Sequence, residues 1–235
     1  MSQVLTDVQL PVRSWQVIAS AIDHTLLRPD ATRGQITKLS EEAAQFGFAA
    51  ICVNPCWVNL GASLLHGTPV RIASTIGFPL GAHHTTTKRF EAEEAIRLGA
   101  VELDMVINIG ALKSGDRRVV QNDIASVVEV AHGNGAIVKV ILETCVLSLE
   151  EKILGCQLSL EAAADFVKTS TGFAGGGATV EDVALMRGVV GDKARVKASG
   201  GIRTAAAANA MLDAGADRLG TSSGVAILAE LGRIG

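Results

Sequence analysis

Residues 137–199 read IVKVILETCVLSLEEKILGCQLSLEAAADFVKTSTGFAGGGATVEDVALMRGVVGDKARVKAS. Three short β-branched runs, at 137–143, 165–169 and 195–199, are separated by two longer amphipathic stretches at 148–163 and 179–190. That alternation is the signature of βαβ units joined into a parallel sheet. The runs are nearly all apolar, as strands covered on both faces should be. Each nevertheless carries one lysine, and Lys139, Lys168 and Lys197 stand 29 residues apart.

The same grammar extends in both directions. Strands are predicted at 20–24, 49–53, 70–76, 101–107 and 217–221, with helices at 32–46, 56–66, 85–98, 116–133 and 204–214. A last helix starts near Val225, and a further one near 12–19 precedes the first strand. Thr179 and Thr204 stand where an N-cap oxygen is wanted. No Pro/Ser/Gly linker or charge run divides the chain. Eight strands, each followed by a helix, in about 200 residues fit a single-domain (β/α)8 TIM barrel over 1–235, with 1–19 as an N-terminal helical lead-in. An open doubly wound sheet is the alternative that strand counting leaves. In a barrel, chemistry is expected at the C-terminal ends of the strands.

Composition narrows the class. The 235 residues are 48% hydrophobic and only 19% charged, and the mean hydropathy is +0.34. Polar surface is scarce, which suits one compact body with a large core and excludes disorder. No apolar run reaches the ~18 residues a membrane span requires. The start, MSQVLTDVQLPVRSW, lacks the features of a signal peptide. A net charge of −3 offers no basic surface for nucleic acid. The four cysteines are expected to be reduced thiols. These features predict a cytoplasmic protein with neither membrane nor nucleic-acid partners.

The chain has only eight lysines, and lysine is depleted in strands and rarely buried without a partner. Any one of the three could be a strand-end residue reaching solvent along its own stem. Their equal spacing instead predicts equivalent levels on three consecutive strands. Converging ammonium groups disfavour one another's charge, and burial pushes the same way. A lysine so placed is neutral enough to attack a carbonyl, and its Schiff base is an electron sink that needs no cofactor. Asp104, on the face of its strand that Glu102 shares, can balance the lysine charge and move protons. It can equally be a structural partner of Lys139. Glu102 and Arg195 are read as partners on the barrel floor, one layer lower. Spacing does not choose among the three lysines.

Glycine placement is the second signal. Ser199-Gly200-Gly201 follows the seventh strand and Gly220-Thr221-Ser222-Ser223-Gly224 the eighth, where this fold commonly binds phosphate. Thr171-Gly172 after the sixth strand adds another candidate donor. Each run alone is an ordinary turn; together, beside Lys168 and Lys197, they point to a phosphorylated small molecule. No Walker-type sequence suggests nucleotide hydrolysis. His83-His84 and His24 lack further ligands at metal-binding spacing, and Cys52 and Cys56 lack a second pair, so no metal is expected. Cys145 and Cys156 have no nucleophile context.

DHTLL at 23–27, CVNP at 52–55, GFPLG at 77–81, ELDMVINIGALKSG at 102–115, VKVILET at 138–144, FVKTSTGF at 166–173, VKASGGIRT at 196–204 and GTSSG at 220–224 resemble the deoxyribose-phosphate aldolases. The resemblance implies a metal-independent class I aldolase on a (β/α)8 barrel, acting in deoxyribonucleotide breakdown. It would cleave 2-deoxy-D-ribose 5-phosphate reversibly to D-glyceraldehyde 3-phosphate and acetaldehyde. It also implies that Lys168 forms the Schiff base, Lys197 tunes it and exchanges protons, Asp104 shuttles protons and Lys139 supports the network. Gly172, Gly200, Gly201, Ser222 and Ser223 would hold the phosphate. The family commonly forms homo-oligomers, dimers or tetramers. Two departures stand out: the chain has no tyrosine to serve as the C-terminal proton carrier of some members, and Phe173 replaces a cation found in others. Rival readings are another phosphosugar enzyme on this barrel (an isomerase or metal-dependent aldolase) or a silent sugar-phosphate-binding barrel.

Overall fold

The computed structural model describes residues 13–232. Eight strands run in chain order: β1 (Ile22–Leu26), β2 (Ala50–Val53), β3 (Arg71–Ile76), β4 (Glu102–Val106), β5 (Ile137–Ile141), β6 (Phe166–Lys168), β7 (Arg195–Ser199) and β8 (Arg218–Thr221). Every neighbour pairs in parallel, and β8 closes on β1. The sheet is therefore a closed barrel, not an open doubly wound one. The helices are α1 (Trp15–Ala19), α2 (Arg33–Phe46), α3 (Val58–Leu64), α4 (Thr85–Arg97), α5 (Ile109–Lys113), α6 (Arg117–Gly133), α7 (Leu149–Glu161), α8 (Val180–Val190), α9 (Ala205–Asp213) and α10 (Gly224–Glu230). Of the expected lead-in, α1 is present and residues 1–12 lie outside the described residues. The stretch 56–66 divides into a 3-10 turn, Pro55–Trp57, and α3. Helix α5, five residues between β4 and α6, stands where no helix is predicted.

Helix starts follow from side-chain chemistry. Thr179 and Thr204 accept hydrogen bonds from the backbone N–H of Asp182 and Ala207. Ser148 and Glu151 at α7, and Thr32 and Gln35 at α2, form reciprocal capping boxes. Each cap contributes about 1 kcal/mol.

Alternate strand residues face opposite ways. Leu103, Met105, Val138, Val140, Val167, Val196 and Leu219 are fully buried in the layer beneath the helices, packed in one cluster with Ile124, Val127 and Val183. The inward positions carry the charge: Asp23, Glu102, Asp104, Lys139, Lys168, Lys197 and Arg218. Scarce charged residues are thus placed inside the barrel, within an apolar shell.

Register corrects one expectation. Lys168 lies opposite Lys197, but Lys139 lies opposite Phe166 and Asp104 opposite Lys139. Equal sequence spacing therefore gives equal register only to Lys168 and Lys197, and Lys139 sits two residues lower. A closed barrel requires such stagger between strands. The offset is an even number, so all three lysines still point inward.

Candidate active site

Strand β6 is only three residues long, and its end is tied on both sides. The Lys168 carbonyl accepts from Leu142 N–H at 2.9 Å, and Thr169 N–H donates to the Lys197 carbonyl at 3.1 Å. Thr169 Oγ1 donates to Ser199 O and accepts from Ser199 N–H, both at 3.0 Å. Ser199 Oγ donates to Ser170 O at 2.6 Å. The backbone that carries Lys168 is thereby fixed against the end of β7.

Asp104 is the hub of the barrel interior. Its Oδ2 accepts from Lys168 Nζ and Lys197 Nζ, each at 2.7 Å, and its Oδ1 from Lys139 Nζ at 2.8 Å. Lys139 also reaches Glu102 Oε2 at 2.5 Å. Lys197 also pairs with Asp23. Arg218 binds Asp23, with Nε to Oδ1 at 2.7 Å, and Glu102 at 3.1 Å. Asp104 is therefore both the counterion of Lys139, the structural role read from sequence, and the contact of the other two lysines.

Charge counting selects one lysine. The interior holds four cations (Lys139, Lys168, Lys197 and Arg218) against three carboxylates (Asp23, Glu102 and Asp104). An unpaired charge in such a place is expensive, and arginine does not give up its proton. The cluster is neutral when one lysine is deprotonated. Lys139 touches Glu102 and Asp104, and Lys197 touches Asp23 and Asp104, whereas Lys168 contacts Asp104 alone. Burial pushes the Lys168 amine below the usual lysine range; Asp104 opposes the shift and the charge on Lys197 adds to it. Burial acts on Lys197 and Lys139 too, but Asp104 with Asp23, and Asp104 with Glu102, outweigh it and hold both above that range. Burial alone would raise the Asp104 carboxyl, yet the three lysines hold it well below the usual carboxylate range.

Lys168 is also the lysine that meets solvent. It is 3% exposed against 0% for Lys139 and Lys197, and it borders a cleft of about 260 Å³ at the C-terminal end of the barrel. Gly172, Gly200, Gly201 and Ser222 border the same cleft. Gly200 has φ +88°, and a Cβ there would stand 2.9 Å from Gly177 Cα, so the turn demands glycine. Ser223 does not border this cleft. Its N–H donates to Thr221 Oγ1 at 2.9 Å, and it lines an adjoining groove with Ser222, His24 and Glu42. The Thr171 N–H, a candidate anion donor, instead points at Glu143 Oε1 at 3.2 Å.

Arg195 is not the partner of Glu102. Its guanidinium carbon lies 4.1 Å from the centre of the Phe166 ring and it is exposed, while Glu102 pairs with Lys139, Arg218 and Arg71. Sequence reasoning missed Asp23, Arg218, Arg28 and Arg203, the last two bordering the cleft, and Glu143, a buried carboxylate with φ +61°. Asp23 and Arg218 carried the same signal as the lysines, a charge inside a predicted strand. Cys52 also lies inside the barrel, its Sγ 3.8 Å from Asp104 Oδ2.

Known proteins share this arrangement of sequence and fold. The chain is 61% identical over 213 residues to the deoxyribose-phosphate aldolase of Thermococcus gammatolerans, covering 90% of this chain and 95% of the relative. It is 60% identical over 211 residues to that of Geobacillus sp. (strain WCH70), covering 90% and 94%. The tetrameric deoxyribose phosphate aldolase from Aeropyrum pernix superposes with a TM-score of 0.88 at 36% identity, covering 94% of this chain and 93% of that one. The model of the DeoC/LacD family aldolases matches residues 17–230, a span that contains all eight strands and the whole lysine–carboxylate cluster. By fold and by sequence, the chain belongs to the DeoC/LacD family of aldolases.

Proposed function

We propose that this chain cleaves 2-deoxy-D-ribose 5-phosphate reversibly into D-glyceraldehyde 3-phosphate and acetaldehyde, through a Schiff base on Lys168. One observation carries the reading: of the three clustered lysines, Lys168 alone borders the cleft and has its amine pushed toward the neutral form. The names of the Thermococcus gammatolerans and Geobacillus relatives support the substrate.

The chemistry follows from the cluster. Neutral Lys168 attacks C1 of the open-chain aldehyde, and loss of water leaves an iminium. The two-carbon and three-carbon products identify C2–C3 as the bond that breaks. Its electron pair moves into the iminium to give an enamine, while the C3 hydroxyl loses its proton and becomes the aldehyde of glyceraldehyde 3-phosphate. Protonation at C2 restores the iminium, and water releases acetaldehyde and Lys168.

Charge balance directs the protons. The iminium adds one positive charge to a neutral cluster, which favours proton loss from Lys197. Asp104 Oδ2 touches both Lys168 and Lys197, so it links the reacting centre to Lys197, with solvent water in the cleft completing the path. Enamine formation removes the charge again, and Lys197 is once more best protonated. Lys139 fixes Asp104 from below. Gly172, Gly200, Gly201 and Ser222 receive the phosphate and so orient C1 toward Lys168. With no tyrosine in the chain, proton delivery to C2 rests on Asp104, Lys197 and water.

A homo-oligomer and a cytoplasmic location accompany this reading. The first is supported by the tetrameric Aeropyrum pernix relative, the second by four free cysteines. The test is a coupled assay of both products from 2-deoxy-D-ribose 5-phosphate, with wild type and Lys168→Leu. Turnover by wild type and its loss in Lys168→Leu are expected; an inactive wild type, or an active variant, refutes the proposal.

A further inference from the structure

The buried cluster balances its own charge, so Lys139 and Lys197 have none to spare for a bound anion. The glycines offer N–H dipoles but no net charge, and Phe173 beside them is apolar. Apart from Lys168, the charged residues bordering the cleft are Arg28, just after β1, and Arg203, just after β7. A phosphate dianion in the cleft therefore has two guanidinium-bearing residues at its border.

Arg28 already holds an anion. Its Nε and Nη2 donate to Asp30 Oδ1 and Oδ2 at 2.9 and 2.5 Å. That is the fork geometry in which a guanidinium receives two oxygens, and a phosphate presents the same pair of acceptors. Both side chains are open to water, at 68% and 63% exposure. Solvent screens their attraction, so exchanging one anion for another costs little. The dianion carries more charge than the carboxylate it would displace, and the glycines that border the same cleft add N–H donors.

We propose that Arg28 is a substrate-recognition residue that exchanges Asp30 for the substrate phosphate, an assignment that rests on the phosphorylated-substrate reading above. Asp30 is then an internal competitor that keeps the guanidinium oriented when the cleft is empty. Arg28 contributes to KM and not to the chemical step, because it lies outside the lysine cluster.

The test compares 2-deoxy-D-ribose 5-phosphate with unphosphorylated 2-deoxy-D-ribose in wild type, Arg28→Gln and Asp30→Asn. Loss of one solvent-screened fork raises KM for the phosphorylated substrate by about threefold to fivefold in Arg28→Gln, with kcat within about twofold. Turnover of the unphosphorylated sugar stays unchanged, and Asp30→Asn lowers KM below the wild-type value. Equal losses on both sugars, or an unchanged KM, overturn the assignment. Inorganic phosphate supplies a readout independent of turnover, since it should raise the melting temperature of wild type more than that of Arg28→Gln. Equal shifts overturn the assignment. If wild type is inactive yet its phosphate shift depends on Arg28, the aldolase reading fails and the anion site stands.

Discussion

Lys168 and Lys197 donate to the same carboxylate oxygen, Asp104 Oδ2, each at 2.7 Å. Two ammonium groups so close repel each other, and only one of them has a second carboxylate, Asp23, to hold its charge. The asymmetry divides two chemically identical side chains into a nucleophile and a partner that stays charged until the iminium forms.

Removing Lys197 should therefore change the acidity of Lys168. In Lys197→Met the repulsion is gone, and three cations remain against three carboxylates, so Lys168 is best protonated. The acid limb of the pH profile of kcat/KM moves to higher pH, and kcat falls by about 10²-fold or more. A variant that loses rate with an unmoved acid limb would show that Lys197 does not tune Lys168.

Lys168 and Asp104 should separate activity from stability. Lys168→Leu removes the group whose neutral form already balances the cluster, so activity is lost while the melting temperature stays close to wild type. Asp104→Leu strands the remaining buried cations and costs about 3–5 kcal/mol, read as a lower urea midpoint. Equal destabilisation by both would contradict the charge count.

Acid stability follows from the same carboxylates. Burial would raise Asp23, but Lys197, Lys139 and Arg218 bring it from 3.8 down to about 2. A depressed carboxyl contributes stability above its unfolded pKa and loses it as pH falls through the folded one. Asp104 is shifted in the same direction. Unfolding free energy should therefore drop between about pH 4 and pH 2, measurable by urea titration across that range, and a flat profile there would count against the network.

The barrel was legible because its strands are apolar, its helices capped and its units repeated. The inward lysines and Asp104 were legible because charge inside an apolar run is rare. The stagger that lowers Lys139 was not, since register depends on closure between distant strands and leaves no mark in local spacing. Arg218 rather than Arg195 meets Glu102 for the same reason: both open a strand, and the register sets Arg218 level with Lys197 and Arg195 two residues lower, level with Phe166. Ser222 and Ser223 are adjacent in sequence and identical in chemistry; both line the groove beside the cleft, Ser222 borders the cleft as well, and the Ser223 N–H is taken by the Thr221 side chain.

Two adjacent glycines offer a graded test of the cradle. Gly200 and Gly201 have φ of +88° and +79°, so alanine at either costs about 1–2 kcal/mol in backbone conformation. Only at Gly200 does the added Cβ also strike Gly177 Cα, at 2.9 Å, while the space at Gly201 is open. Gly200→Ala should lower the melting temperature more than Gly201→Ala, and both should raise KM for the phosphorylated sugar. The reverse order of stability would count against the described turn.

Borohydride trapping tests the central claim most directly. The protein is reduced in the presence of 2-deoxy-D-ribose 5-phosphate or acetaldehyde, digested and mapped by mass spectrometry. The predicted result is a single substrate-dependent adduct on Lys168, with Lys139 and Lys197 unmodified. An adduct on either of those lysines, or none at all while turnover continues, would contradict the assignment of Lys168 as the neutral nucleophile of the cluster.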